Sequence, residues 1–403
     1  MERKRRALVV GGSMSGLLAG IMLARRGWDV DIFERVEQEL AGRGAGIVAQ
    51  AELIAQLDAL GLRTGDLGVA MTTRKILDRA GRVTTTLECP QVLTAWERVY
   101  RVLRDAFAPQ HYHRGIGLQA FEQSADSALA HFSDGSTVAA DVLIGADGLR
   151  STVRQQCAPE VVPLYVGYVA WRALLPESAI PPSIHRELFM NMTFCLPPGE
   201  QCLGYPVTGP NNELRPGQRR YNVVWYRPAD EATELSALLT DKTGVVRSIS
   251  IPPPLIRAAP IAAMRAAAER LLAPQFCAIV RLIDEPILQP IYDLETPRLA
   301  FGRVAVIGDA AFVARPHVAA GVSKAADDAA ALAAALDSDN VVAALRRFEA
   351  ERLPDNRKII ERARQLGAYL QATQTSEERA RSARHSIPEA VLAETAVLDF
   401  LYA

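Results

Sequence analysis

The sequence predicts an α/β protein: a Rossmann-like nucleotide-binding domain, an inserted and mainly antiparallel β-sheet domain, and C-terminal helices. Three observations predict it. A glycine-rich turn lies between a β-branched run and an amphipathic helix at residues 7–27. Two later apolar runs close on glycine and aspartate, at 142–148 and 304–309. A middle stretch, 166–285, alternates short aromatic runs with Pro- and Gly-rich turns.

Composition sets the outer limits. The chain has 403 residues, 49% hydrophobic and 23% charged, enough for two or three domains. Lys and Arg total 45 against 46 Asp and Glu, so no bulk field draws nucleic acid or an anionic lipid surface. Five cysteines (Cys89, Cys157, Cys195, Cys202, Cys277) are scattered without a C-x-x-C. Neither a disulfide framework nor a structural metal site is expected, and a reducing cytoplasm is.

The first element must be told from a membrane span, because the basic run at 2–6 (E-R-K-R-R) precedes uncharged residues 7–24. That stretch opens with L-V-V, carries Gly11, Gly12, Gly16 and Gly20, and ends at Arg25-Arg26-Gly27 with no small-residue cleavage site. It reads as strand, turn and helix in a soluble protein. Met14, Leu17, Leu18, Ile21 and Met22 share one helical face, Gly27 stops the helix, and 29–33 is the next strand.

The turn itself is G-G-S-M-S-G, at 11–16. Gly11 meets the need for a tight turn and Gly16 for close helix–strand packing, while the helix N-terminus offers N–H groups to a pyrophosphate. Ser13 takes the place of the fingerprint's second glycine; it is small, and its hydroxyl can donate. Glu34, 23 positions after Gly11, is spaced to accept from a ribose diol, which favours FAD or NAD over NADP.

The later motifs are V-L-I-G-A-D-G-L-R-S-T-V-R at 142–154 and V-A-V-I-G-D-A-A-F-V-A-R-P-H-V-A-A-G at 304–321. Each presents a carboxylate at a strand's C-terminal end, where α/β sheets bind ligands. A simple dehydrogenase has no need of a third such site.

In this order and spacing, the three motifs resemble the FAD-dependent aromatic hydroxylases, single-component flavoprotein monooxygenases with the para-hydroxybenzoate hydroxylase fold. The variant turn, G-Y-V-A-W-R at 167–172 and A-R-P-H-V-A-A-G at 314–321 are most similar to the dihydroxypyridine hydroxylase branch. The resemblance implies that Gly11, Ser13 and Gly16 hold the FAD pyrophosphate and Glu34 the adenosine ribose. It implies that Asp147 serves FAD and the nicotinamide donor, that Asp309 bonds the ribityl chain, and that Pro316 lies beside the isoalloxazine. Gly12, Ser15, Arg35, Val48, Trp96, Gly148, Gly308, Gly321 and Val322 complete the implied cofactor site. The helix starting at Gly321 would aim its N-terminus at the flavin pyrimidine, where N–H groups stabilise negative charge without reorganising. Three departures from the family pattern stand out: Phe312 replaces a histidine, Ser323 replaces an asparagine, and Trp96 falls where an arginine is usual, with Arg98 two positions on.

The implied reaction is reduction of FAD by NADH or NADPH, addition of O₂ as a flavin hydroperoxide, and oxygen transfer to a small hydroxylated aromatic or N-heteroaromatic ring. A homodimer is implied. An epoxidase on a non-aromatic substrate and a non-catalytic FAD-binding redox sensor are the alternatives; a halogenase would carry W-x-W-x-I-P, which is absent.

On the substrate side, strands are expected at 168–175, 187–195, 201–207 and 221–226, with 252–254 as a rigid connector. Core packing accounts for most of the aromatics there; Tyr205 and Trp225 are the two assigned to the pocket. His317, beside the Gly-Asp motif, is assigned to orient or deprotonate a ring hydroxyl, and the other five histidines to the surface. Helices follow at 321–336 and from about 341 through Pro354 to 370, with a solvated face at 377–384. The expected division is 1–165 and 286–340 for FAD, 166–285 for substrate, and 341–403 for the helical end.

Overall fold

The computed structural model describes residues 4–42 and 44–402; the first two residues of the E-R-K-R-R run lie outside the described residues. Arg6–Val10 forms a strand paired in parallel with Asp29–Glu34 on one side and Val142–Gly145 on the other. The full sheet runs Ala300–Phe301, Val304–Val306, Val142–Gly145, Arg6–Val10, Asp29–Glu34, Tyr112–Arg114, and only its first pair is antiparallel. The central strands are continuous apolar runs because helices, Met14–Arg25 and Gly321–Ala335 among them, cover the sheet. This order brings the turns after Val10, Gly145 and Ile307 to neighbouring strand ends, so three motifs spread over some 300 residues meet at one edge.

A second sheet has nine strands in the order Phe312–Val313, Ile287–Glu295, Leu164–Pro176, Arg220–Pro228, Gln201–Val207, Met192–Cys195, Val69–Leu77, Val83–Ala95, Gly46–Ala49. All neighbours are antiparallel except Met192–Cys195 with Val69–Leu77. The sheet expected within 166–285 therefore recruits strands from 46–95 and from 287–313, and boundaries at 166 and 285 do not separate the two sheets. The reason is that side-chain alternation reveals a pleat but not its hydrogen-bonding partner. The run at 187–195 also differs: Pro182–Leu188 is a helix that starts on proline, and only Met192–Cys195 is strand.

The two faces of the nine-stranded sheet belong to separate apolar cores. One packs against Ala258–Leu271 and Pro274–Arg281, the other faces the first sheet and the C-terminal segment. Val341–Gly367 runs unbroken through Pro354 and buries Phe348, Ile359, Ala363 and Leu366. Among the described residues, no helix is long and apolar enough to cross a membrane, and no cluster of His, Cys, Asp and Glu could hold a metal. All five cysteines are free.

Candidate active site

The glycine turn is a cradle that a β-carbon would fill. Gly11 has φ +107°, and a β-carbon there would lie 2.3 Å from the Ala146 carbonyl; one on Gly16 would lie 1.8 Å from the Gly11 carbonyl. Ser13 precedes the Met14–Arg25 helix without a side-chain cap, and the first turn holds no acid. Its N–H groups are open to an anion. Glu34, 7% exposed, accepts the Gly12 N–H through Oε2 and the Val36 N–H through Oε1, both at 2.9 Å. Each oxygen keeps a lone pair for a ribose hydroxyl. Glu34 lines a cavity of about 290 Å³ with Gly11, Ser13, Arg35, Asp147 and Gly148.

The Asp147 carboxylate caps the helix Thr152–Cys157, accepting from Ser151 Oγ at 2.5 Å and from the N–H groups of Thr152 and Val153 at 2.7 and 3.3 Å. Burial raises its pKa, and those three bonds pull against the rise. The fully buried Arg154 donates to the carbonyls of Leu149 (2.7 Å) and Ala310 (2.8 Å), which ties the Asp-Gly loop to the Gly-Asp turn. Gly308, at φ +59°, packs so closely that a β-carbon would sit 1.9 Å from Ser15 Oγ. Asp309 then projects into the cleft.

Beyond it, the loop over 313–320 is held by Arg315, whose guanidinium grips Asp293 with two bonds of 3.0 Å. The helix Gly321–Ala335 begins after Ala320 with no side-chain cap and no acid in its first turn. Two uncapped helix N-termini, at Ser13–Ser15 and at Ala320–Val322, thus open on one cavity of about 390 Å³. Across that cavity the nine-stranded sheet contributes Arg172, Met192, Gln201, Leu203, Tyr205, Val224, Tyr226 and Gln289, and Thr395–Ala396 closes one side. An outer cavity of about 580 Å³ adjoins it, sharing Ile47, Trp96, Gly148, Arg172 and Asp309.

Comparison with known proteins decides between cofactors. An FAD binding domain-like family model matches residues 165–293. The chain is 31% identical to the 2,6-dihydroxypyridine 3-monooxygenase of Paenarthrobacter nicotinovorans over 91% of both proteins. It is 28% identical to the 3-amino-4-hydroxybenzoate 2-monooxygenase of Streptomyces cremeus, over 91% of this chain and 88% of that one. The solved 2,6-dihydroxypyridine-3-hydroxylase from Arthrobacter nicotinovorans superposes with a TM-score of 0.87 at 30% identity, covering 93% of this chain and 95% of that one. The chain belongs to the FAD-dependent aromatic monooxygenases.

In this monooxygenase the expected cofactor residues fall at one cleft. Ser13, Ser15, Val48, Trp96, Gly148, Asp309, Pro316, Gly321 and Val322 line the inner cavity, and Arg35 lines the outer two. Gly12, Gly16 and Gly308 shape the turns from behind. Trp96 lines all three cavities and stacks on Tyr100 at 5.1 Å, whereas Arg98 is engaged 2.7 Å from Asp66 and lines none of them. The indole, not the nearby cation, faces the cleft.

Two expectations for the substrate side change. Trp225 lies on the far face of its strand, 1% exposed in the other core, and its neighbour Tyr226 takes the pocket side. A one-residue step in a strand reverses the face. His317 does line the inner cavity, 2% exposed, with Nε2 3.0 Å from the Tyr168 hydroxyl and Nδ1 without a partner. Burial, with Arg315 beside it, brings its pKa down to about 3, so it is a neutral imidazole and a poor base. His385, expected at the surface, is 3% exposed and bonded to Glu394.

Sequence reasoning passed over Arg172, Gln201, Tyr226 and Gln289 as lining residues, although Arg172 ends the G-Y-V-A-W-R motif. It also missed the wall at Thr395–Ala396, which no motif signals. Arg74, fully buried, holds that wall by donating to the carbonyls of Leu392 and Thr395 at 2.7 Å. Ala396, at φ +57°, donates its N–H to the His317 carbonyl at 2.8 Å.

Proposed function

We propose that this FAD-dependent monooxygenase hydroxylates a small N-heteroaromatic ring of the dihydroxypyridine class, in the cytoplasm and as a homodimer. The observation that carries the substrate class is the inner cavity. At about 390 Å³ it lies at the small end of ligand pockets, and a cofactor ring would share it. Space for one small ring agrees with the substrates in the names of the relatives above.

The residues present fit FAD, with two uncapped helix N-termini on one cavity and a glycine cradle that side chains would fill. Ser13, Ser15 and Gly16 would hold the pyrophosphate, Glu34 the ribose, Asp309 the ribityl hydroxyls, and the N-terminus at Gly321 the pyrimidine edge. When bound, FAD supplies the redox chemistry, taking electrons from NAD(P)H and activating O₂ for transfer of one oxygen to the ring. The chain orients the ring between Tyr205, Tyr226, Leu203 and Val224, and excludes water with the 313–320 loop and Thr395–Ala396. His317, neutral and braced by Tyr168, orients and does not deprotonate. Five free cysteines support a reducing compartment, and sedimentation of the FAD-loaded protein tests the homodimer.

The test of substrate class is NAD(P)H oxidation by FAD-loaded protein across hydroxypyridines and phenols under labelled O₂, with products weighed by mass spectrometry. One labelled oxygen gained by a hydroxypyridine is the expected result. Hydrogen peroxide alone with every ring, or labelled phenols and no labelled pyridine, overturns the class.

A further inference from the structure

The substrate half of the inner cavity is unbalanced in charge. Arg172 stands where the inner and outer cavities meet. Its Nη1 donates to Gln289 Oε1 at 2.9 Å and its Nη2 to the Gly46 carbonyl at 3.2 Å, while Nε is buried without a partner. Both partners are neutral, and no carboxylate among the described residues pairs with this guanidinium. Arg315 has one in Asp293, Arg219 in Glu177 and Arg352 in Asp328; the fully buried Arg74 and Arg154 are held by carbonyl and amide oxygens alone, but neither lines a cavity.

The surroundings are donors too. Gln201, 1% exposed, accepts from the Tyr369 hydroxyl at 3.0 Å, which leaves its Nε2 without a partner. The hydroxyls of Tyr205 and Tyr226 hold no hydrogen bond among the described residues. The lining includes a single carboxylate, Asp309, and it lies on the cofactor side.

We propose that this half of the site receives its ring already ionised, as a monoanion, with Arg172 as counter-charge and Gln201, Tyr205 and Tyr226 as donors to the ring's oxygens. The inference rests on the hydroxylase reading of the site and adds the charge state of the substrate. A hydroxypyridine anion, with its charge shared between ring nitrogen and oxygen, matches an unpaired guanidinium; a neutral ring would leave that cation without a partner. The side chains around the ring offer no ready base, since the one carboxylate of the lining, Asp309, lies on the cofactor side. In the inner cavity Arg172 meets Tyr226 on the next strand, Tyr205 one strand further, Arg315 and His317 on the loop, and Asp309 across the cleft; in the outer cavity it meets Arg35, Asp147, Arg150 and Tyr292; the segment 46–48 carries nothing titratable. Burial raises both phenols, Tyr226 to about 12, and lowers His317 to about 3. The ionisation that controls binding is therefore the ligand's own.

The test uses FAD-loaded protein and the perturbation of flavin absorbance by hydroxypyridines of graded ring acidity, each beside its O-methyl ether, titrated as a function of pH. The pH midpoint of binding should move with each ligand's own pKa, and the ethers should bind weakly at every pH. Arg172→Met should weaken the anions by about 10- to 100-fold and the ethers by less than about threefold, the size expected of a hydrogen bond to a charged group. Gln201→Glu keeps the bond from Tyr369 and should repel the anions by about tenfold or more, which preserves the test if Arg172→Met fails to fold. One midpoint common to all ligands, or equal losses for anion and ether, overturns the proposal. Anion-selective binding without labelled product from any ring keeps this inference and sinks the hydroxylation of pyridines; turnover with no anion preference does the reverse.

Discussion

The carboxylate of Asp328 accepts the backbone N–H of Gly308 at 3.2 Å, which joins the helix over Gly321–Ala335 to the turn that carries Asp309. The same carboxylate takes Lys324 Nζ at 3.3 Å, and Arg352 Nε and Asn356 Nδ2 at 3.1 Å, with all four side chains buried. One anion thus pairs with two cations, one of which also reaches Asp355 at 3.1 Å, and it fixes the Gly-Asp turn relative to the helix over Gly321–Ala335.

Asp328→Ala leaves Lys324 without its counter-charge and Arg352 with Asp355 alone, and should cost about 3–5 kcal/mol, the range for breaking a buried pair. Denaturant unfolding of the cofactor-free protein measures it. A loss below about 1 kcal/mol would mean that water reaches Lys324 and that Asp355 suffices for Arg352.

Gly308→Ala adds a β-carbon 1.9 Å from Ser15 Oγ at φ +59°. Strain of about 1–3 kcal/mol is expected at such a position, and FAD affinity should fall by about tenfold or more. Flavin fluorescence quenching reads the affinity. Adding Ser15→Gly should restore the steric part of the loss and not the part due to φ.

Trp225 and Tyr226 are adjacent and face opposite cores. Trp225→Ala should cost about 3–5 kcal/mol of stability. Tyr226→Phe breaks no bond within the protein, so stability should hold within about 1 kcal/mol while KM for the ring rises by up to about tenfold. Thermal melts and steady-state kinetics separate the two. A raised KM for Tyr226→Phe accompanied by an equal loss of stability would count against a pocket role.

His317 has a folded pKa of about 3, below the ordinary histidine value, because burial and Arg315 disfavour its charged form. Its contribution to stability is complete above the unfolded pKa and is lost as pH falls from about 6.5 toward 3. The stability gap between the natural protein and His317→Gln should therefore shift with acid across that window, in favour of the variant. The pH profile of kcat/KM should keep its shape in the variant; loss of a limb near neutrality would restore His317 as a base.

Asp31 is moved the other way. Burial would raise it, but hydrogen bonds from His113, Arg6 and His111 outweigh burial and bring its pKa down to about 2. The stability it adds is present above the unfolded carboxylate value and disappears as pH falls through about 2. Asp31→Asn should flatten the acid limb of a pH-against-stability curve, and an unchanged limb would show that other carboxylates control it.

Much of the turn geometry at the ends of the first sheet was legible in the sequence. Gly11 and Gly16 meet local backbone demands, a tight turn and a close helix–strand approach, and those demands are written in spacings of a few residues; that Asp147 caps a helix came from the structure. Strand and helix periods located the turns, and the end of each strand located its aspartate. One departure resolved only in space: Trp96 faces the cleft, whereas Arg98 is spent on Asp66.

The substrate half was less legible, for a physical reason visible at particular residues. Alternation along 220–228 marks two faces but not which face meets the other sheet, so Trp225 and Tyr226 were exchanged. Strands from 46–95 complete the substrate sheet through hydrogen bonds that leave no mark in local pattern, and Thr395–Ala396 reaches the pocket through Arg74, more than 300 residues away. By itself, then, the sequence determined the glycine-rich and Gly-Asp turns and the order of the motifs, since these follow from backbone conformation over short range. Only the tertiary structure decided which side chains face the ring, that His317 is neutral and that Arg172 has no acid, because facing, burial and charge pairing depend on contacts between segments distant in the chain.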